Sequence, residues 1–376
     1  MRGRCHGYAK AGMLPTMSGR AAIAKAGIVV GLFLLATAAG CTWFGREPGE
    51  LPPAGDEPLE GFGSATAGGA GGRVIVVREA SEAAIRHAFE DASRSGNAII
   101  RFEVEGPIGI TRPTLRLTAP NVTIEGGGAT LEGSGLEFDG PLIDVRTNDV
   151  IVRDLRLRNG YDNLSVKGPE AFNVVITHVS STGAADDGIS IAYGAHDVTV
   201  QYSLLAGNTR SLFCKEGGTT NLSIHHTWML KNWARSPLLS GPALADVRNV
   251  IIEDWSLWGS RFEDRASGNL IGSLFVLSPF ATGVGAKPNA ALRFVEAGPV
   301  FTADNVYRGA AMPGAAGDAA AALRAPAVRT FGVAEMEDTV RARAGCLPRD
   351  RVDHAYIMLR DGWAVSGTTP LRFPLR

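Results

Sequence analysis

Apolar and polar residues alternate in short runs that recur through the middle of the chain. Each run has a polar residue, then Val or Leu, then any residue, then Ile or Val, as in "FNVVITHV". This alternation has the period of a β-strand with one buried face. The first apolar residues of the six copies are Val122, Val150, Val174, Val198, Leu222 and Val250.

The spacing of these copies predicts how the strands are arranged. From Val150 to Leu222 the interval is 24 residues three times over, and the flanking intervals are 28. No helical pattern separates the copies, so they are not βαβ units. A β-propeller would need about 40 residues and four strands per blade. We therefore predict an all-β fold, a parallel solenoid or β-helix in which each repeat forms one stacked coil.

Asparagine precedes four of the predicted strands. It suits the turn conformation expected there, and stacked asparagines can form hydrogen bonds between coils. The four residues are Asn121, Asn173, Asn221 and Asn249.

The ends of a solenoid must be covered. Residues 81–96 fit a helix that begins at Ser81 as N-cap and stops at Gly96. One face of that helix carries Ile85, Ala88, Phe89 and Ala92. We predict that it is the N-terminal cap, and that the alanine- and proline-rich stretch after Ala310 is a loop.

Basic residues and then the apolar run Ala26–Gly40 open the chain, as in a secretory signal. The run ends in "AAGC" and resembles a bacterial lipoprotein signal, in which Cys41 would carry a lipid; an ordinary cleaved signal is the alternative. We assign 1–41 to the signal peptide, 42–60 to a linker and 61–376 to the β-helix with a C-terminal closing segment. The protein is therefore expected to be exported, either anchored in the bacterial cell envelope or secreted.

Composition limits the possible partners. The formal net charge is −1, so no overall basic field indicates nucleic acid. We expect a monomer that meets a membrane only through the possible lipid on Cys41. Cys214 and Cys346 could form one disulfide in an exported protein, or each could be a buried free thiol; their spacing does not decide.

Four stretches, in this order, resemble pectate lyases. They are the glycine-rich "GFGSATAGGAGG", the coils "VITHVSSTGAADDGISIAYGAHDVTVQYS", the segment "SIHHTWMLKNWARSPLLSG" and the closing "ARAGCLPRDRVDHAYIMLRDG". The resemblance extends over most of residues 61–362. It implies a right-handed parallel β-helix and a polysaccharide lyase.

The same resemblance implies a reaction. Pectate lyases cleave polygalacturonate, an acidic polysaccharide, by β-elimination. A base removes the proton on C5 of the sugar and the C4 oxygen leaves. Ca²⁺ between enzyme and substrate carboxylates makes the developing negative charge tolerable, and basic side chains add to this effect.

The resemblance also carries over residue roles. Arg235, before Pro237, matches the base, which can work only if nearby positive charge lowers its high pKa. Arg210 stands where the family carries a lysine that contacts the substrate carboxylate, and Lys215 is an alternative occupant of that role. As plain surface charges, these residues would have no such function.

Three aspartates and two histidines complete the candidate site. Asp162 and Asp186 match calcium ligands and Asp187 is a third, since calcium prefers oxygen ligands; turn aspartates bonded to their own backbone are the alternative. His225 and His226 are neighbours on a strand, so one points inward. We take His226 as the outward one, a residue of the substrate cleft.

Three positions depart from the family pattern by losing a charge. Ser240, which we place at the substrate, stands for the second arginine of R-x-P-x-x-R, Thr177 for an aspartate, and Ser190 for a third calcium aspartate. These losses leave open a methylated pectin, another uronic-acid polymer, or a β-helix that binds glycan without cleaving it.

Overall fold

Short parallel strands make up most of the regular structure. A computed structural model describes residues 53–358, except 136–138, 216, 284 and 315–317. The strands are β1 (Arg73–Val77), β2 (Ala98–Phe102), β3 (Pro107–Gly109), β4 (Leu115–Leu117), β5 (Val122–Glu125), β6 (Thr130–Glu132), β7 (Pro141–Val145), β8 (Val150–Arg158), β9 (Asp162–Lys167), β10 (Phe172–Thr182), β11 (Asp187–Ala192), β12 (His196–Gln201), β13 (Leu204–Ala206), β14 (Arg210–Lys215), β15 (Thr220–His225), β16 (Trp228–Leu230), β17 (Leu238–Ser240), β18 (Leu244–Arg248), β19 (Ile251–Glu253), β20 (Ser260–Glu263), β21 (Ser267–Ile271), β22 (Leu274–Val276), β23 (Leu292–Val295), β24 (Val300–Ala303) and β25 (Val306–Arg308). The helices are α1 (Glu82–Ser95), α2 (Pro279–Gly283), α3 (Val333–Arg343) and α4 (Arg351–Met358).

The strands stack in three rows, each with parallel pairing from coil to coil. The first row runs β1–β2–β5–β8–β10–β12–β15–β18–β21–β24, and the second runs β3–β6–β8–β10–β13–β16–β19–β22–β25. The long strands β8 and β10 belong to both rows, so these form one sheet. The third row is a separate eight-stranded sheet, β4–β7–β9–β11–β14–β17–β20–β23. The all-β fold and the parallel β-helix predicted from the repeat are confirmed.

The repeat residues pair in the order that the sequence predicts. Val150 pairs with Val174, Val174 with Val198, and Val198 with Leu222. Their side chains are buried, and the inner faces of all three rows contribute to one continuous core. One coil therefore corresponds to one 24-residue repeat in this part of the chain.

The prediction for the sixth copy is wrong. The neighbour of Leu222 is Ala245 of β18, not Val250. The strand after Val250 is β19, which pairs with β16 in the second row. The strand that continues the first row is β18, with the sequence "LADVR". Its small alanine and central aspartate give a weak apolar pattern, so the sequence did not identify it as a copy of the repeat.

The predicted turn asparagines have left-handed backbone conformations. The φ angles of Asn121, Asn173, Asn221 and Asn249 lie between 49° and 60°. Asn173 donates to Asp149 Oδ1 at 3.3 Å, and Asn221 donates to Asp197 Oδ1 at 2.9 Å. Each donor lies one coil beyond its acceptor, so these bonds link successive coils at a bend that few other side chains tolerate.

The cap helix is confirmed with its predicted ends. The Ser81 hydroxyl accepts from Ala84 N at 3.3 Å, Gly96 follows the helix with φ 63°, and the predicted apolar face is buried. The stretch after Ala310 has no regular structure up to 332 among its described residues. No described helix is both long and apolar enough to cross a membrane.

The N-terminal strap (residues 53–65) runs over the outer face of the first row. Glu60 N donates to Gln201 Oε1 at 3.1 Å, and Gly63 N donates to Thr199 Oγ1 at 2.9 Å. A Cβ on Gly63 would lie 2.3 Å from the carbonyl oxygen of Val174, so only glycine allows this approach. The boundaries of the signal, the linker and the β-helix remain predictions. The end of the predicted linker, at Glu60, is packed against the β-helix.

The chain ends and the two cysteines are also the subject of predictions. The signal segment and Cys41 lie outside the described residues, and the lipid remains a prediction. Cys214 and Cys346 are both buried free thiols, so the open question of their pairing is settled against a disulfide in this structure.

Candidate functional site

Four coils bring the candidate residues together at the entry ends of the third-row strands. Asp162 begins β9, Asp187 begins β11 and Arg210 begins β14. Asp187 pairs directly with Arg210, and Ala234, just before Arg235, forms a bridge with Arg210. The repeat thus places carboxylates and guanidinium groups on adjacent coils.

The three predicted metal ligands form one acidic cluster (Asp162, Asp186 and Asp187). One carboxylate oxygen from each lies within 4.8 Å of the others, and no other such group of three occurs among the described residues. Backbone bonds fix the cluster, because Asp187 N donates to Asp162 Oδ1 at 3.1 Å and Asp186 N donates to the carbonyl of Tyr161 at 2.7 Å. Oxygen donors this close together are the ligand type that calcium prefers, so the donor set fits the predicted ion.

A basic side chain contacts each carboxylate of the acidic cluster. Arg235 Nη1 lies 3.2 Å from Asp187 Oδ1, and Arg210 forms an ion pair with Asp186. Lys167 Nζ lies 3.2 Å from Asp162 Oδ2. Three formal negative charges therefore face three positive ones.

Burial changes the protonation of this group. Burial raises the pKa of Asp187 to about 7; the nearby Asp162 carboxylate adds to the rise, and Arg235 opposes it. Burial also lowers the pKa of Arg210, and the neighbouring charge of Arg235 lowers it further. Burial, and then the neighbouring positive charge, thus make the Arg210 guanidinium easier to deprotonate.

The backbone and one aromatic ring fix Arg235. Its φ is 60°, the left-handed conformation that this chain also adopts at Asn173 and at other bends. Its carbonyl accepts from Leu212 N at 2.8 Å. The guanidinium carbon lies 4.3 Å from the centre of the Phe213 ring, and one fifth of the side chain is exposed. Arg235 is therefore held between a carboxylate and an aromatic face, at the solvent boundary.

Of the other candidates, Lys215 and Ser190 lie on the same sheet as the cluster. Lys215 pairs in register with Ala192 and makes no ion pair with another described residue. Ser190 lies in register between Ser165 and Phe213. Ser240 is buried and aligned with Glu263, so its contact with substrate stays a prediction.

The prediction that His226 lines the cleft is wrong. His225 and His226 are both fully buried, and His226 stacks on Tyr202 with ring centres 4.7 Å apart. The Phe331 ring also packs against it edge-on, with ring centres 5.3 Å apart. The left-handed turn at His226, with φ 49°, breaks the strand alternation on which the prediction relied.

Both buried histidines are disfavoured as cations. Burial lowers the pKa of His225 to about 3, and burial and then His225 lower the pKa of His226 well below its usual value. Thr177 also lies away from the acidic cluster, with its hydroxyl 3.0 Å from His178 Nδ1.

Lys167 is the site residue that sequence reasoning missed. It occupies the same register as Ala192 and Lys215 on neighbouring coils. The repeat held a signal, because Lys167 and Lys215 are two 24-residue intervals apart. Its contact with Asp162 is made within β9, five residues back along the chain, and the spacing between repeats does not encode it.

The curated proteins that match this chain share the name probable pectate lyase C. No protein-family model matches the chain. A protein of Emericella nidulans named probable pectate lyase C is 29% identical over 234 residues, which cover 58% of this chain and 52% of the relative. Its namesake in Aspergillus terreus is 27% identical over 237 residues, with 58% and 54% covered. The chain spans about half the length of the curated relatives it matches.

Solved structures show the same fold. A pectate lyase of a Bacillus species in complex with trigalacturonate superposes with a TM-score of 0.58 at 16% identity, over 76% of this chain and 98% of that one. The cedar pollen allergen jun a 1 gives 0.57 at 15%, over 76% and 92%. The chain is thus similar in sequence to proteins named pectate lyase and shares the parallel β-helix of these solved structures.

Proposed function

We propose that this protein is a polysaccharide lyase that cleaves an acidic, polygalacturonate-like glycan by calcium-assisted β-elimination. The observation that carries the proposal is the convergence of Arg210 and Arg235 with the acidic cluster on adjacent coils. Relatives named pectate lyase support the reaction class. The Bacillus structure with trigalacturonate supports an acidic glycan as substrate.

Arg235 is the proposed base. To accept the C5 proton, its guanidinium must leave Asp187, 3.2 Å away, and lose a proton. Arg210, whose pKa burial and Arg235 already lower, is the proposed partner of the substrate carboxylate, which its planar fork can bind through two hydrogen bonds. These two roles require both arginines to turn from the acidic cluster toward the sugar.

The acidic cluster would hold the calcium ion. When bound, Ca²⁺ would neutralise the substrate carboxylate next to C5 and so stabilise the negative charge that develops there. Asp162, Asp186 and Asp187 would supply the protein oxygens. Asp186 is the most exposed of the three, which leaves it accessible from the solvent side.

The test is ultraviolet detection of unsaturated product. The protein without residues 1–41 is incubated with polygalacturonate and calcium in alkaline buffer. Arg235→Ala should lower the rate about 10²- to 10⁴-fold, as expected for loss of a general base. Arg293→Ala is the matched control, because Arg293 is exposed on β23 of the same sheet and should keep the wild-type rate.

Two results would contradict the proposal at different levels. If the folded protein released no unsaturated product from any uronic-acid polymer, the lyase assignment would fail. If the activity survived in Arg235→Ala, the lyase would stand, but its base would be another group.

The second candidate function is glycan binding without cleavage. The balanced charges at the acidic cluster and the uncharged Ser190 and Ser240 favour it, since they leave less free charge for catalysis. Saturable binding of an oligogalacturonide with no product would support this candidate. In either case we propose an exported protein that acts on glycan outside the cytoplasm.

A further inference from the structure

Lys167 holds one side of Asp162 in the acidic cluster. Its ammonium lies 3.2 Å from Asp162 Oδ2, which also accepts from the Ser165 hydroxyl at 3.1 Å. Asp162 Oδ1 accepts from Asp187 N at 3.1 Å. A carboxylate offers about four acceptor positions, so three donors leave room for about one more ligand.

The other carboxylates of the acidic cluster are also paired with positive charges. Arg210 and Arg235 neutralise Asp186 and Asp187 as Lys167 neutralises Asp162. Lys167 is mostly buried, with 16% of its side chain exposed, so water screens the ammonium weakly. A divalent cation that approaches Asp162 therefore meets a positive charge at hydrogen-bond distance from its ligand.

We infer that Lys167 is an internal counter-ion that competes with calcium for Asp162, so that calcium binds more tightly when the ammonium moves away from Oδ2. The inference rests on the proposed function, because it concerns the same metal site. Lys167 thus lowers the affinity of the acidic cluster for calcium.

Calorimetric titration of CaCl₂ into the protein without substrate tests the inference. The variant Lys167→Met should bind calcium at least about tenfold more tightly, since a unit charge at contact distance near a protein surface has an effect of that size or larger. Lys167→Arg keeps the charge and should retain the wild-type affinity. Circular dichroism melting of each variant verifies that it is folded.

Lys287→Met is the charge control. Lys287 is exposed and lies just before β23, five strands from β9 along the third row, which is roughly 24 Å at the usual strand spacing. At about 0.15 M salt the screening length is about 8 Å, so this variant should bind calcium like the wild type. Tighter binding in both methionine variants would show only a general charge effect and would overturn the inference.

The remaining outcomes separate this inference from the lyase proposal. Unchanged or weaker calcium binding by Lys167→Met overturns the inference, as does the absence of binding in every variant. Binding by Lys167→Met alone supports it. Lyase activity that persists with a chelator, in a protein that binds no calcium, would overturn the inference and the role of calcium, but β-elimination by a lyase would stand. Tighter binding by Lys167→Met without product from any polymer would do the reverse.

Discussion

Glu57 fastens the N-terminal strap to the β-helix. Its side chain is fully buried, with Oε1 at 2.6 Å from Arg343 Nη1 and Oε2 at 3.2 Å from His178 Nε2. Gly55 N donates to Oε2 at 2.7 Å. Replacing Glu57 by Gln keeps the shape of the side chain but removes its charge. We expect the strap to detach more often.

The size of the effect follows from the pKa of Glu57. Burial opposes ionisation, but the bonds from His178 and Arg343 outweigh it and lower the pKa from 4.5 to about 2. Each pKa unit corresponds to about 1.4 kcal/mol, so ionisation of Glu57 contributes about 3 kcal/mol to the docked state. Because the pKa is lower in the docked state, this contribution is complete above pH 4.5 and is lost as the pH falls toward 2.

Hydrogen exchange of the strap amides measures this opening. The amides of Glu60 and Gly63, which donate to Gln201 and Thr199, should exchange about 100-fold faster in Glu57→Gln at neutral pH, the ratio that about 3 kcal/mol implies. Asp56→Asn is the control, because Asp56 is the exposed neighbour of Glu57. Protection within threefold of the wild type in Glu57→Gln, or equal loss in Asp56→Asn, would refute the reasoning.

Two further predictions concern the stability of the coils. Ile224→Ala should lower the free energy of unfolding by about 2–5 kcal/mol, because Ile224 is fully buried between Val200 and Val247 of the neighbouring coils. Urea unfolding followed by circular dichroism measures this free energy. A loss below about 1 kcal/mol would contradict the tight packing of Ile224. Asn249→Ala should cost roughly 3 kcal/mol and speed proteolysis before residue 331, since Asn249 exchanges two hydrogen bonds with the backbone of Phe331, at 2.6 and 3.0 Å. Unchanged cleavage there would show that this segment is held by other contacts.

The charge balance of the acidic cluster bears on both candidate functions. Asp187 binds Arg235 and lies beside Asp162, and burial holds its pKa near 7. Arg235 can act as a base only when it is released from that carboxylate, and Lys167 restrains Asp162 in the same way. The site as it stands is thus a set of ion pairs that substrate and metal must rearrange.

The repeat in the sequence predicted most of the coils, whereas the resemblance to pectate lyases supplied the candidate site residues. Strand alternation and the 24-residue interval are local and periodic, so they fixed the pairing of Val150, Val174, Val198 and Leu222. The same period implied that Asp162, Asp186, Arg210 and Arg235 lie on adjacent coils. The sixth copy failed because Ala245 continues the row with too weak an apolar pattern.

The tertiary structure alone decided which groups neutralise one another. Glu57 reaches Arg343 across 286 residues, a contact that no periodic pattern encodes. The burial of His226 likewise depends on Phe331, which lies about 100 residues further along the chain, and on the left-handed bend at His226. Periodicity specifies where the backbone of each coil passes, whereas burial and ion pairing depend on side chains from distant segments that meet only when the coils are stacked.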